Sequence, residues 1–226
     1  MKIQFLGTGA ADWPVTRWEN MTEFRRMSSA VIDDVLLIDP GPQAIEALST
    51  YGKKPEEIKY IINTHGHGDH FKAETVQALC AHGADFVEIL QGEEKTVGKY
   101  TICAYRANHS TCDKAVHFII SDGDKSVFYG LDGAWLMYEE VQGIKQKKPD
   151  LAVFDATIGD TYGDYRIFEH NNLNMVIEMQ KTLKPFVKRF AISHMARTLH
   201  TSQEQLEKRM EPYEILVAYD GLEIEI

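Results

Sequence analysis

Short apolar runs recur along the whole chain, some alternating with polar positions and some continuous, and they predict strands interleaved with helices from end to end. Residues 3–6 read as a strand ending in Gly7-Thr8-Gly9, and residues 10–27, which carry Trp13, Pro14 and Trp18 without periodicity, as a loop. Residues 30–32 and 35–38 flank Asp33-Asp34, the pattern of a β-hairpin. Residues 42–50 predict a short helix with Pro42 near its start. Residues 58–62 predict a buried strand that runs straight into a histidine-rich stretch. Ala73, Val76, Leu79 and Cys80 share one helical face, which predicts a helix with that face buried. Strands are expected over 86–90, 101–105, 115–121 and 126–131, the last two joined by the turn Asp122-Gly123-Asp124. A helix is expected over 134–145, a strand over 151–154, a helix over 173–183 and a strand over 186–192. Thr201-Ser202-Gln203-Glu204 has capping-box spacing, which predicts that Thr201 caps the last helix. Strands over 215–218 and 222–226 complete the order. Strands in both halves with helices between them predict a sheet-on-sheet core with outer helices. No linker divides the chain, so one domain is expected over residues 1–226.

Composition narrows the function classes. Hydrophobic residues make up 44% and charged residues 26%, which excludes disorder of the whole chain. The formal net charge of −10 argues against a large nucleic acid held on a basic face. It leaves a small phosphate-bearing substrate open, because a metal ion can supply local positive charge. No apolar run approaches the ~20 residues needed to span a bilayer, and the first residues read as a strand rather than a signal peptide. Cys80, Cys103 and Cys112 contain no CxxC pair, which argues against a disulfide framework or a cysteine zinc knuckle and points to a reducing cytoplasm. Cys80 is expected as a small core residue.

The strongest chemical signal is His65-Gly66-His67-Gly68-Asp69-His70, with four metal-type side chains in six residues directly after an apolar strand. Imidazole suits zinc, manganese and iron, and the carboxylate adds a hard oxygen. The two glycines are expected to let the loop turn without Cβ strain. His109, Asp132 and His194 each come after an apolar strand, where loops gather on a rigid scaffold.

With these residues the sequence resembles the metallo-β-lactamase superfamily. Leu6-Gly7-Thr8-Gly9 and Leu37-Ile38-Asp39-Pro40-Gly41 are similar to it as well, and the resemblance spans essentially the whole chain. It implies an α/β fold, a four-layer αβ/βα sandwich with metals at the sheet edges. It implies two divalent ions, manganese or zinc with iron also admitted. His65, His67 and His109 would hold one, Asp69, His70 and His194 the other, with Asp132 bridging. Phe168-Glu169-His170-Asn171-Asn172, before a helix, is similar to the histidine segment of the phosphodiesterase branch, which includes ribonuclease Z and the cyclic phosphodiesterase of the carbon–phosphorus lyase pathway; Arg25-Arg26-Met27-Ser28-Ser29 resembles that branch too. The branch implies a small cyclic or linear phosphodiester as substrate and a metal-bridging hydroxide as nucleophile. It makes His170 the general acid or phosphate ligand, and Asp69 is counted with it among the candidate catalytic residues. The chain lacks the long basic arm of the first relative and the cysteine-held zinc of the second. A thioester or lactone hydrolase of the same fold is the alternative, and a non-catalytic metal-binding module the second. The sequence leaves a homodimer open.

Other residues have two readings each. Asp39 is either a turn former or an outer partner of a ligating histidine. Arg17, Arg25 and Arg26 suit a phosphate but more often make surface ion pairs. Trp13 and Trp18 either pack their loop or stack on substrate. His82 suits a helix C-terminus, His117 a structural or an exposed place in a strand, and His200, just before Thr201, a place outside the site more than one at its rim.

Overall fold

The computed structural model describes residues 1–226. In chain order its strands are β1 (Lys2–Gly7), β2 (Ser29–Ile32), β3 (Leu36–Ile38), β4 (Tyr60–Ile62), β5 (Asp85–Phe86), β6 (Glu94–Val97), β7 (Tyr100–Arg106), β8 (Val116–Ser121), β9 (Ser126–Gly130), β10 (Leu151–Asp155), β11 (Arg189–Ser193), β12 (Ile215–Val217) and β13 (Glu223–Glu225). The helices are α1 (Ala44–Thr50), α2 (Ala73–Ala81), α3 (Tyr138–Lys147), α4 (Leu173–Leu183) and α5 (Gln203–Met210). One sheet has the order β13-β1-β2-β3-β4-β5, the other β12-β11-β10-β9-β8-β7-β6.

Alternation along the strands builds the layers. Ala30 and Ile32 of β2, Leu36 and Ile38 of β3, Val127 and Tyr129 of β9, and Leu151 and Val153 of β10 meet in one core between the sheets. The intervening Val31 and Leu37 face α1 and α2 on one outer side. Phe128, Ala152 and Phe154 face α3, α4 and α5 on the other. A period of two has sent successive side chains to opposite faces, and both faces are covered. The result is the expected four-layer αβ/βα sandwich. No helix is long and apolar enough to cross a membrane.

The strand-rich centre of the sandwich positions the chemistry. β9, β10, β11 and β12 run parallel, as do β3 and β4. Asp39, the 63–70 loop, Asp132, Asp155 and His194 all lie at the C-terminal ends of these strands, where ligands of α/β sheets gather.

Several sequence expectations are corrected. Helix α2 buries Thr75 and Leu79 rather than the Ala73/Cys80 face, and Cys80 is exposed, because Thr75 Oγ1 donates to Gly41 O at 3.1 Å and turns that side inward. The strand expected over 86–90 is only β5, since past Val87 the chain leaves the edge of the sheet and turns at Leu90, whose N–H donates to Glu93 Oε2. Strand β6 was not expected, because its sequence Glu94-Lys95-Thr96-Val97 carries almost no apolar signal. Helix α3 begins at Tyr138, as residues 134–137 are held in a loop by Asn108 and Asn171. The cap of α5 is Ser202, whose side chain accepts from Gln205 N, not Thr201.

Candidate metal centre

Seven side chains named from the sequence converge at the strand ends. The ligand atoms of His65, His67, His109 and Asp132 lie within 4.8 Å of one another, and so do those of Asp69, His70, Asp132 and His194. Asp132 is common to both groups and turns one oxygen to each. Its Oδ2 lies 3.4 Å from His65 Nε2 and 3.8 Å from His109 Nε2. Its Oδ1 lies 3.1 Å from His70 Nε2 and 2.9 Å from His194 Nε2. Asp69 Oδ2 is 3.4 Å from both of the latter atoms. His109 Nε2 and His67 Nδ1 are 3.1 Å apart.

Outer hydrogen bonds aim the imidazoles. His70 Nδ1 donates to Asp39 Oδ2 at 2.8 Å, so the Nε2 lone pair of the neutral ring points inward. Asp39 Oδ1 accepts from Thr64 N and Thr64 Oγ1, and that hydroxyl in turn accepts from His65 Nδ1 at 3.0 Å. One carboxylate thus orients a ring in each group, which decides between the two readings of Asp39. His109 Nδ1 lies 3.2 Å from both Glu169 O and Glu169 Oε2. His194 Nδ1 donates to Thr157 Oγ1 at 2.7 Å, and Thr157 Oγ1 donates to Asp155.

The donor set fits divalent cations. His65 Nε2 and Asp132 Oδ1 are buried, and neither makes a hydrogen bond of proper geometry. His70 Nε2 and His194 Nε2 face each other at 3.1 Å with Nδ1 of each ring already engaged. Burial works against charging His70, but the carboxylates of Asp132, Asp69 and Asp39 outweigh it and raise its pKa well above the usual value. At His109 burial dominates and lowers the pKa to about 4, which keeps the ring neutral as a ligand must be. The pocket favours positive charge where no side-chain cation stands. Converging nitrogen and oxygen donors with supported outer partners are the chemistry of a divalent-metal site.

The local backbone is held in unusual conformations. Asp39 (φ 59°), Asp132 (φ 57°) and His194 (φ 62°) are all left-handed, each turning its side chain back over a strand end. The two glycines of the histidine loop do not have the role expected of them: neither has a positive φ, and a Cβ at Gly66 or Gly68 would meet open space. The glycine that matters is Gly41, where a Cβ would lie 2.4 Å from Asp69 O. Its absence lets the loop after β3 press against the histidine loop.

His170 stands beside the seven. Its ring lies 5.2 Å from that of His109 and 5.5 Å, nearly parallel, from that of His194. Its Nδ1 donates to Asp155 Oδ2 at 2.8 Å. Burial lowers its pKa, but the charge of Asp155 and this hydrogen bond more than offset that and raise it. Asp155 was not singled out from the sequence, yet it is the hub of this side. It is fully buried and accepts from Asp132 N, Thr157 N, Thr157 Oγ1 and Asn171 N. Its signal was an aspartate directly after the apolar run 151–154, as Asp132 directly follows Leu131.

The remaining candidates fall outside the donor set. Arg25 is buried against Thr8 Oγ1, Ala218 O and Gln203, and Arg26 pairs with Glu46, so neither reaches the centre. Arg17 bonds Met21 O at the surface. Trp13 is buried with its Nε1 on Met195 O, whereas Trp18 is exposed beneath Arg197. His200 bonds Ala156 O, and His82 caps α2. His117 is structural: its Nδ1 donates to the buried Glu140 at 2.5 Å, and its ring fills the space over Gly133 beside Asp132.

These supports lead to two expected results. Asp39→Ala weakens metal affinity by ~10–100-fold, the usual cost of losing an outer partner, as read by competition with a chelator. Glu140→Ala lowers unfolding free energy by about 3–5 kcal/mol, because it strands a buried histidine. Burial lowers the His117 pKa, but Glu140 outweighs it and the net shift is upward. The pair's stabilisation is therefore complete below the unfolded value of about 6.5 and fades as pH rises through the raised folded value. Urea titrations across that range should show the gap between Glu140→Ala and the native chain narrowing upward.

The fold is similar to the metallo-β-lactamase fold of solved structures, and part of the chain matches that family's model. Residues 27–73 match the family model of the metallo-beta-lactamase superfamily. Among solved structures, the metallo-beta-lactamase fold protein YhfI from Bacillus subtilis is 15% identical with a TM-score of 0.75, covering 100% of this chain and 99% of that one. A diphosphatase of the PhnP family is 17% identical with a TM-score of 0.73, covering 100% and 97%. The short form of human tRNase Z is 19% identical with a TM-score of 0.71, covering 100% and 99%. At these identities the likeness is one of fold. A search of curated proteins found no match.

Proposed function

We propose that this chain is a metal-dependent hydrolase that cleaves a small cyclic or linear phosphodiester at a dinuclear centre. The observation that carries the reading is the Asp155–His170 pair set against a donor set whose two halves share Asp132. His65, His67 and His109 would hold one ion, Asp69, His70 and His194 the other, and Asp132 would join them. Two divalent ions held there, manganese or zinc with iron also suited to the donors, would supply Lewis acidity and lower the pKa of water.

The protein's own groups supply the rest. Asp155 fixes the His170 tautomer by accepting from Nδ1, which leaves Nε2 as the atom that meets substrate. Its negative charge helps that ring keep a proton near neutral pH, as a donor to a leaving alkoxide requires. Asp69, 3.4 Å from two Nε2 atoms, adds a second carboxylate to the side that holds His70 and His194. Two of the solved neighbours are by name a diphosphatase and a tRNase, which supports chemistry at phosphorus. Three free cysteines and the net charge of −10 support a cytoplasmic enzyme for small substrates.

Hydrolysis of bis(p-nitrophenyl) phosphate tests the reading, using protein reconstituted with manganese or with zinc and a chelated control. Turnover with metal and none after chelation is expected. Turnover of thioesters or lactones with no phosphodiester hydrolysis under any metal would move the assignment to the carbonyl-directed alternative. Binding without turnover of either class would leave a metal-binding module.

A further inference from the structure

Two large aromatic side chains are exposed on the loops that carry Asp132 and His170. Trp135 is three residues past Asp132 and 47% exposed, and Phe168 is two residues before His170 and 77% exposed. Trp135 sits in the left-handed region (φ 46°), a conformation that bulky residues seldom adopt and that clusters at ligand-contacting positions.

The loops that carry them are fastened together. Asn108 Nδ2 donates to Ala134 O at 2.5 Å, and Ala134 N donates back to Asn108 O at 3.1 Å. Asn171 Oδ1 accepts from Trp135 N at 2.8 Å, and its Nδ2 donates to Gly133 O at 2.8 Å. Glu169 accepts from Thr111 N and Thr111 Oγ1. Trp135 is thereby bonded to the residue just after His170, and both lie on the His109 side of the centre. These hydrogen bonds fasten the backbone at Trp135 and the residues that flank His170, while both aromatic side chains are exposed.

We propose that Trp135 and Phe168 form a stacking platform for the base of a nucleotide phosphodiester, placed on the leaving-group side next to His170. The proposal rests on the phosphodiester reading. A flat heteroaromatic ring with polar edges suits two exposed π faces at an open rim, where an aliphatic chain would need an enclosing pocket. Stacking on aromatic side chains accepts any base. The net charge of −10 confines the ligand to a mono- or dinucleotide rather than a long polyanion.

Calorimetric titration of the metal-loaded full chain with adenosine 5′-monophosphate, ribose 5-phosphate and adenosine tests this. The base is expected to tighten binding by roughly 5- to 100-fold over ribose 5-phosphate, in the range of base–aromatic stacking. Trp135→Ala and Phe168→Ala should each remove most of that gain while ribose 5-phosphate binds unchanged, and Trp135→Phe should restore part of it. Equal affinity for the two phosphates, or a base contribution that survives both substitutions, would overturn the platform and leave the phosphodiester reading standing. Adenosine binding that depends on Trp135 and Phe168, with no binding of ribose 5-phosphate, would uphold the platform and remove the phosphodiester reading instead.

Discussion

Asp132→Ala eliminates metal-dependent turnover and reduces bound metal below two ions per chain. Asp132 faces each half of the donor set with a different oxygen, and no other carboxylate touches both halves. Under the proposed dinuclear reading its loss should exceed the ~10–100-fold penalty of an outer partner, because both halves of the donor set would lose a ligand. The fold should persist, since the sandwich cores on either side do not include this side chain. Steady-state kinetics with metal analysis on the same sample checks both parts. A variant that keeps two ions and its turnover would exclude Asp132 as the bridge.

The second large effect falls on catalysis without loss of metal. His170→Ala should cut the turnover number by ~10²–10⁴-fold, the range for a positioned general acid, while two ions stay bound. Asp155→Asn should share much of this loss. It removes the charge that favours the His170 proton and disturbs the acceptor that orders Thr157 and, through it, His194. Substrates with a good leaving group, such as p-nitrophenolate, should suffer less from His170→Ala than alkyl esters, because they leave without a proton. Equal losses on both substrate types would make His170 a phosphate ligand rather than an acid.

The layers and most of the site were legible because both leave simple patterns. Alternation in residues such as Ala30, Val31 and Ile32 announces which side chain meets which layer, and the structure sends them to opposite faces. A titratable residue within three positions of the end of an apolar run marked His65, Asp132 and His194, and the structure brings these together. Asp155 left the same mark, but its importance lies in partners drawn from residues 132, 157, 170, 171 and 194, a convergence that no local spacing shows. β6 escaped because an edge strand with one face in water needs little apolar content. Trp135 reads as helical in the sequence because residues 134–137 fit the pattern of residues 138–145; the bonds from Asn108 and Asn171 that hold it out of α3 are tertiary. The glycines of the histidine loop misled in the opposite sense, since the steric need for a missing Cβ lies at Gly41, far from them in sequence.

Anomalous diffraction from crystals grown with manganese or zinc tests the central claim most directly. Two ions are predicted, one among His65, His67 and His109 and one among Asp69, His70 and His194, with the Asp132 carboxylate between them. A single ion that does not touch Asp132, or none in crystals saturated with metal, would contradict it.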